Sequence, residues 1–402
     1  AAIHYEDKAE NLPNWFSVPD SDDFLVVFTP AIPTDSEEFL WFKSREIPLY
    51  KRALVLASIV NPYTCVAVAG THGKTTTSSL IAHILSSSGH GCNAFLGGII
   101  ANYESNVILD EGATTAVVEA DEFDRSFLTL EPSHAVITSM DADHLDIYHS
   151  GEALSEAFND FAKKVKPGGL TLTKYGLPLQ GIETMTYGLD SRANYAARDI
   201  EVIQGRFVFS VDGPQGLLGK FELPLPGRHN VENATAAIVM ASHLGVKTEA
   251  IQHALKGFKG IYRRFDIHIN TPELAYVDDY AHHPTEITAA IDAARELFPS
   301  RKISVVFQPH LYSRTRDFAA GFALALSLAD EVILLPIYPA REKPIDGVDS
   351  QMLLNKILDT PKIHLSKSDL LVHLKNNVPD VLLTLGAGDI DTLVKPISKL
   401  LK

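Results

Sequence analysis

Short apolar runs that end in glycine or acidic residues recur along the chain, each followed by a stretch with apolar positions three and four apart. Residues 65–69 are apolar and enter a glycine turn. From 74 to 88, Leu80, Ile81, Ile84 and Leu85 then share one face, so the pattern predicts a strand, a tight loop and a helix. Further apolar runs at 115–118 and 135–138 end in acidic or polar residues, as in a parallel sheet whose functional loops follow the strand C-termini. Between 168 and 225 the pattern changes to short alternating stretches, such as 206–210 before the Asp212-Gly213 turn, and predicts antiparallel decoration. Near Phe258 the first regime returns. It predicts strands at 275–277, 303–307 and 332–335 with helices at 285–297 and 317–328 between them, a second α/β domain.

Ahead of these lies a strand at 24–28, a loop at 29–32 and a short helical stretch through Phe39 and Phe42. One strand and one helix cannot close a core. The organisation expected is therefore a partial domain at 1–57, a central domain at 58–257 and a C-terminal α/β domain at 258–402.

Composition narrows the function. The 402 residues are 46% hydrophobic and 21% charged, with a formal net charge of −15. Disorder is excluded, and so is nonspecific attraction to nucleic acid or an anionic membrane, which needs a surplus of Lys and Arg. Two cysteines, Cys65 and Cys92, stand apart from any Cys/His cluster and suggest neither a disulfide framework nor a zinc site. No run approaches the roughly 18 apolar residues of a membrane helix, and the first ten residues are not signal-like. A cytoplasmic protein, monomeric or weakly dimeric, acting on small molecules is the expectation.

Gly70-Thr71-His72-Gly73-Lys74-Thr75-Thr76-Thr77 sits where a strand gives way to a helix, the context a phosphate loop requires. The glycines turn backbone N–H groups toward an anion and the helix N-terminus adds partial positive charge. Lys74 meets the β- and γ-phosphates, and the Thr75 hydroxyl suits magnesium. Only Thr71 and His72 separate the two glycines, fewer than in the common form of the loop. Glu119-Ala120-Asp121-Glu122 and Asp141-Ala142-Asp143-His144 follow consecutive strands and in a parallel sheet face this loop. A Thr hydroxyl, one carboxylate and the phosphates satisfy magnesium, leaving His144 for a second ion. For any single one of these residues, a solvated loop charge is the alternative.

Together with Pro226 to Asn233, Arg263-Arg264-Phe265 and Asp278 to Thr285, these motifs resemble the Mur ligase family from about residue 24 to the C-terminus. The stretch from Phe307 to Thr315 and the later Gly386 to Asp389 resemble the members that join L-alanine to UDP-N-acetylmuramate. The likeness departs at Leu311, where many such members carry arginine. The resemblance implies a central ATPase domain, a Rossmann-like C-terminal domain and an N-terminal Rossmann-like domain for the UDP moiety. The glycine-rich loop that opens that domain does not occur here, so poor binding of the UDP substrate is expected.

Residue by residue, the resemblance implies ATP and magnesium held as follows. Gly70, Thr71, His72, Gly73, Lys74, Thr75 and Thr76 take the phosphates. Thr75 and Glu119 take the first magnesium, and His144 with Glu119 the second. His229, Asn230 and Asn233 border the adenine, Arg264 reaches the γ-phosphate, Asp279 holds the ribose, and Tyr280 counts among the nucleotide-binding residues. Tyr280, His282, His310 and Arg314 line the acceptor side, with a buried structural histidine as the other reading of His282 or His310. The chemistry implied is an acyl phosphate formed from a carboxylate and attacked by an amine, with Lys74 and Arg264 in different domains and closure on ATP binding. A sister ligase with another acceptor, a nucleotide switch and an inactive ATP-binding fragment are the competing readings.

Overall fold

The computed structural model describes residues 3–12, 24–141, 148, 150–340 and 342–402. Its central sheet is built on β3 (Thr64–Ala69), whose alternation explains the layer structure. Val66 and Val68 point into one core and Cys65, Ala67 and Ala69 into another, so the strand is buried on both faces and reads as a continuous apolar run. One side is covered by α3 (Lys74–Ser87), α5 (Arg228–His243) and α6 (Thr248–Lys256). The other is covered by α2 (Arg52–Val60) and α4 (Gly151–Lys163), which contribute Ala57, Val60, Leu154, Phe158 and Phe161.

Among the described residues this sheet has ten strands. β6 (Thr115–Glu119) and β7 (His134–Ile137) flank β3 in parallel. β4 (Asn93–Ile100) and β5 (Ser105–Ile108) continue on the β6 side, β5 antiparallel at the edge. On the β7 side come β8 (Thr171–Lys174), β9 (Met185–Gly188), β10 (Tyr195–Ile203), β11 (Arg206–Gly213) and β12 (Gly216–Leu223). The expectation of antiparallel decoration across 168–225 is corrected here. β8 and β9 still pair in parallel, as does the β9–β10 contact, and only β10 to β12 form an antiparallel meander. Short half-buried strands such as β9 carry too few residues to reveal direction.

The N-terminal region holds a second strand that the hydrophobic pattern did not single out. β1 (Val26–Phe28) pairs in parallel with β2 (Leu49–Lys51), and α1 (Glu37–Ser44) crosses between them, capped by Ser36 accepting from the Phe39 N–H. The boundary expected after residue 57 falls inside α2, whose Ala57 and Val60 belong to the central core. The boundary expected at 258 also shifts. Phe258 and Ile261 are buried in the central core, and Ile261 bridges to Ile100.

The C-terminal sheet has six strands, ordered β13 (Asp266–Asn270), β14 (Ala275–Asp279), β18 (Val381–Leu385), β15 (Ile303–Phe307), β16 (Glu331–Leu334) and β17 (Lys362–His364). All pairs are parallel except β13–β14. α7 (Pro284–Leu297) packs Ile287, Ala290, Ile291 and Ala294 onto one face of it. The helix expected at 317–328 is found at Ala319–Leu326, and a further helix that the pattern did not predict, Tyr312–Asp317, precedes it. The chain leaves helical geometry at Phe318, whose ring packs against His283 and Phe322.

Candidate active site

The phosphate loop joins β3 to α3 and is shaped by its glycines. Gly70 has φ +136° and Gly73 φ +81°, which L side chains rarely adopt, and a Cβ on Gly73 would fall 2.6 Å from Asn233 Oδ1. Gly73 is the N-cap of α3 and supplies no side-chain cap, so the first-turn N–H groups face outward from a positive helix end. The loop is fastened to the end of β7. The His72 N–H donates to Ser139 Oγ at 2.6 Å, Thr71 Oγ1 meets the same hydroxyl at 2.9 Å, and Thr138 Oγ1 donates to the His72 carbonyl.

Lys74 is folded back on its own loop, donating to the Gly70 carbonyl at 2.6 Å and to Glu122, whose two carboxylate oxygens lie 2.9 and 2.8 Å away. Burial opposes its charge, but Glu122, Glu119 and Asp121 outweigh that and hold the ammonium above its ordinary value. Glu122 is fully buried, its backbone carbonyl accepting from Tyr148 Oη. It was quoted in the sequence only as part of an acidic cluster. Its signal was its place three residues after Glu119, where the chain turns back beneath the loop.

Thr75 and Glu119 face the same Gly97-Gly98 segment of β4. Glu119 Oε2 accepts from the Gly97 N–H at 2.8 Å. A Cβ on Gly97 would lie 2.5 Å from both carboxylate oxygens, and one on Gly98 would lie 2.8 Å from Thr75 Cγ2. Two absent side chains thus let β4 pass close to both the Glu119 carboxylate and Thr75. A hydroxyl and a carboxylate are oxygen donors of the kind magnesium takes, so these residues fit that ion. Among the described residues no group of three His, Cys, Asp or Glu forms a metal cage. His144 and Asp143 lie outside the described residues.

A cleft of about 160 Å³ runs between the two larger domains. It brings together His72, Gly73, Thr76, His229, Asn230, Asn233, Arg264 and Asp279, eight of the residues expected to touch nucleotide. Thr138, Ser139, Lys174, Glu232 and Glu286 join them, and sequence reasoning had given these no role. Asn230 Nδ2 donates to the Pro226 carbonyl at 2.6 Å, which anchors the N-terminus of α5 in the cleft wall. Burial lowers His229 to about 4, so its ring is neutral near pH 7. Asp279 stands at the end of β14, accepting from the Phe265 and Ala281 N–H groups at 2.6 and 2.7 Å. Burial pushes its carboxyl up to about 6 against the pull of Arg264.

Tyr280 is not on this cleft. Its ring lies under Arg263 and Arg264, with guanidinium carbons 5.2 and 5.1 Å from its centroid, so it supports the arginine expected at the γ-phosphate. His282, His310 and Arg314 also lie off the cleft. The His282 ring is 5.3 Å from Tyr280 and 6.2 Å from His310, whose ring stacks on Tyr338. Arg314 is half-buried on the helix after β15. The histidines thus gather beyond the C-terminal ends of β14 and β15.

A second cavity, of about 370 Å³, opens where the N-terminal region meets the central sheet. It is lined by Val27, Arg52, Leu56, Phe95, Glu119 and Asp121 among others, so Glu119 lies on its wall.

Fold and site define an α/β enzyme of the phosphate-loop class, in which a cleft is completed by an arginine from the neighbouring domain. The chain belongs to the Mur ligase family: residues 68–241 match the Mur ligase middle domain and residues 263–388 the Mur ligase, glutamate ligase domain. It is 48% identical over 398 residues to UDP-N-acetylmuramate–L-alanine ligase of Flavobacterium psychrophilum, covering 99% of this chain and 87% of that one. To the ligase of the same name from Porphyromonas gingivalis it is 46% identical over 407 residues, covering 100% and 89%. Among solved structures, the UDP-N-acetylmuramate-alanine ligase of Thermotoga maritima superposes with TM-score 0.78 at 28% identity, over 96% of this chain and 86% of that one. The fold is also shared by a MurF ligase of Thermotoga maritima solved with ADP, with TM-score 0.69 at 17% identity over 96% and 97% of the chains.

Proposed function

We propose that this chain joins L-alanine to UDP-N-acetylmuramate at the expense of ATP, a step in peptidoglycan precursor synthesis. The observation that supports it most is the convergence of Gly73, Thr76, Asn233 and Arg264 on one cleft, in a chain nearly half identical to ligases of that name. The triphosphate lies along the loop, the α3 N-terminus and Lys74, with the base toward His229 and Asn230. A neutral His229 packs against an uncharged base without an electrostatic penalty.

A carboxylate is a poor electrophile. The substrate carboxylate attacks the γ-phosphorus, the bond to the β–γ bridging oxygen breaks, and ADP leaves from an acyl phosphate. The alanine amine then adds to the acyl carbon, inorganic phosphate departs, and a nearby base takes the amine proton. Lys74 and Arg264 neutralise the transferring group, a positioning and electrostatic task with no covalent enzyme intermediate. Thr75 and Glu119 would hold magnesium, which adds positive charge to the same oxygens. The second cavity, with Glu119 on its wall, is the place for the muramoyl carboxylate. Tyr280, His282, His310 and Arg314 flank the acceptor side.

Among the described residues no helix is long and apolar enough to cross a membrane. Action as a monomer or weak homodimer in the cytoplasm belongs to the same proposal. The test is phosphate release from ATP and UDP-N-acetylmuramate while the amino acid is varied. Release that depends on L-alanine supports the reading, whereas release indifferent to any amino acid points to a nucleotide switch.

A further inference from the structure

Glu286 has a local task and a distant contact. It is the third residue of α7, after the N-cap His283, and its Oε2 accepts at 3.0 Å from the N–H of His282, the residue before the cap, tying the incoming chain to the helix's first turn. That task uses one oxygen. Oε1 instead lies 3.1 Å from His72 Nδ1, on the phosphate loop of the other domain and 214 residues away in sequence.

The surroundings distinguish this contact from an incidental one. The Glu286 and His72 side chains are 16% and 14% exposed, whereas another ion pair across the domains, Arg228 with Glu296, is 56% and 31% exposed and screened by water. The His72 backbone is held to Ser139, and its ring lies 4.7 Å from that of His283 at the N-cap of α7, so ring and helix end meet at one point. From Glu286 a run of contacts leads to the cleft arginine. The His282 ring Nδ1 lies 3.0 Å from the Tyr280 carbonyl, the Tyr280 N–H donates to the Arg263 carbonyl at 2.8 Å, and the Tyr280 ring carries Arg264.

We propose that Glu286 is a positioning residue: by fastening the α7 N-terminus to the phosphate loop it holds the two domains together and delivers Arg264 to the nucleotide. The inference rests on the nucleotide reading of the cleft given above. Glu286→Asp is the informative variant. It keeps a carboxylate on the first turn of α7, where Asp is well tolerated, and withdraws it from His72 by one methylene.

The measurement is calorimetric affinity for a non-hydrolysable ATP analogue with magnesium, on the unaltered chain, E286D, R264A and the double variant. Thermal unfolding is followed in parallel. E286D is expected to weaken the analogue about tenfold, the scale of one charge-assisted hydrogen bond, with the unfolding midpoint near that of the unaltered chain. On the R264A background the same change should cost less than about twofold, because the arginine it delivers is already gone. Equal losses on both backgrounds would mean that Glu286 touches nucleotide independently, and no loss on the unaltered background would leave it only a tie at the start of α7. Either result overturns the proposal. If the unaltered chain binds no analogue, the nucleotide reading itself falls and this inference with it.

Discussion

Lys74 is the residue on which most of the site's charge depends, and its contacts show two demands on one ammonium. Glu122 keeps it charged and, with the Gly70 carbonyl, holds it close to the loop, while the proposed mechanism has the same ammonium meet phosphate. Lys74→Ala is expected to slow turnover by about two orders of magnitude, roughly 3 kcal/mol, by analogy with loss of one preorganised donor. Turnover within about twofold of the unaltered enzyme would remove Lys74 from the mechanism. Gly97 offers a second test. An added methyl there would press on the Glu119 carboxylate, so Gly97→Ala should raise the magnesium concentration needed for half-maximal activity by about tenfold or more. An unchanged magnesium titration would separate Glu119 from the metal. Lys74, Thr75 and Glu119 could be proposed from the sequence because a phosphate loop and a strand-end carboxylate are local patterns. Glu122, Ser139 and Glu286 were not, because what marks them is a partner 48, 67 or 214 residues away.

Among the elements, the doubly buried strands were the most legible. β15 was expected and found at 303–307, since a run buried on both faces has no register to mistake. β8 and β9 were misjudged in direction, because pairing partners rather than local alternation decide whether a short strand runs parallel. The helix at Tyr312–Asp317 was missed because Ser313 to Asp317 are polar or charged and offer no apolar spacing to read. The start of β7 carries a pH dependence. His134 Nδ1 accepts from the Leu170 N–H at 2.9 Å, and burial with repulsion from His243 lowers it to about 4. The unfolded chain binds that proton near pH 6.5 and the folded chain does not. Stability therefore falls as pH drops from about 6.5 toward 4, and is fully present above that window. Unfolding midpoints measured from pH 7.5 to 4.5 should show this slope, and His134→Gln should flatten it. An equal slope in the variant would assign the effect to other groups.

On the scale of the whole molecule, the site exists only where two domains meet. The α3 N-terminus and the Asn233 side belong to the central domain, and Arg264 and Asp279 belong with the C-terminal one. The division into an ATP-type domain and a second α/β domain was readable from two successive runs of strand–helix alternation. Their junction was not, because Phe258 and Ile261 are apolar residues that either core would accept. The sequence leads one to expect closure on ATP binding, and the contact of His72 with Glu286 forms only where the two domains are together. Scattering with and without an ATP analogue should therefore show a shift toward the compact form. Superimposable profiles would make closure a standing property of the fold rather than a response to ligand.

The most direct measurement is a crystal structure of this chain with a non-hydrolysable ATP analogue and magnesium. The account predicts the β- and γ-phosphates on the backbone from Gly73 to Thr76, the base beside His229 and Asn230, and the Arg264 guanidinium within hydrogen-bonding distance of the γ-phosphate. A triphosphate seated elsewhere, or one bound by the loop while Arg264 stays out of reach, would contradict it.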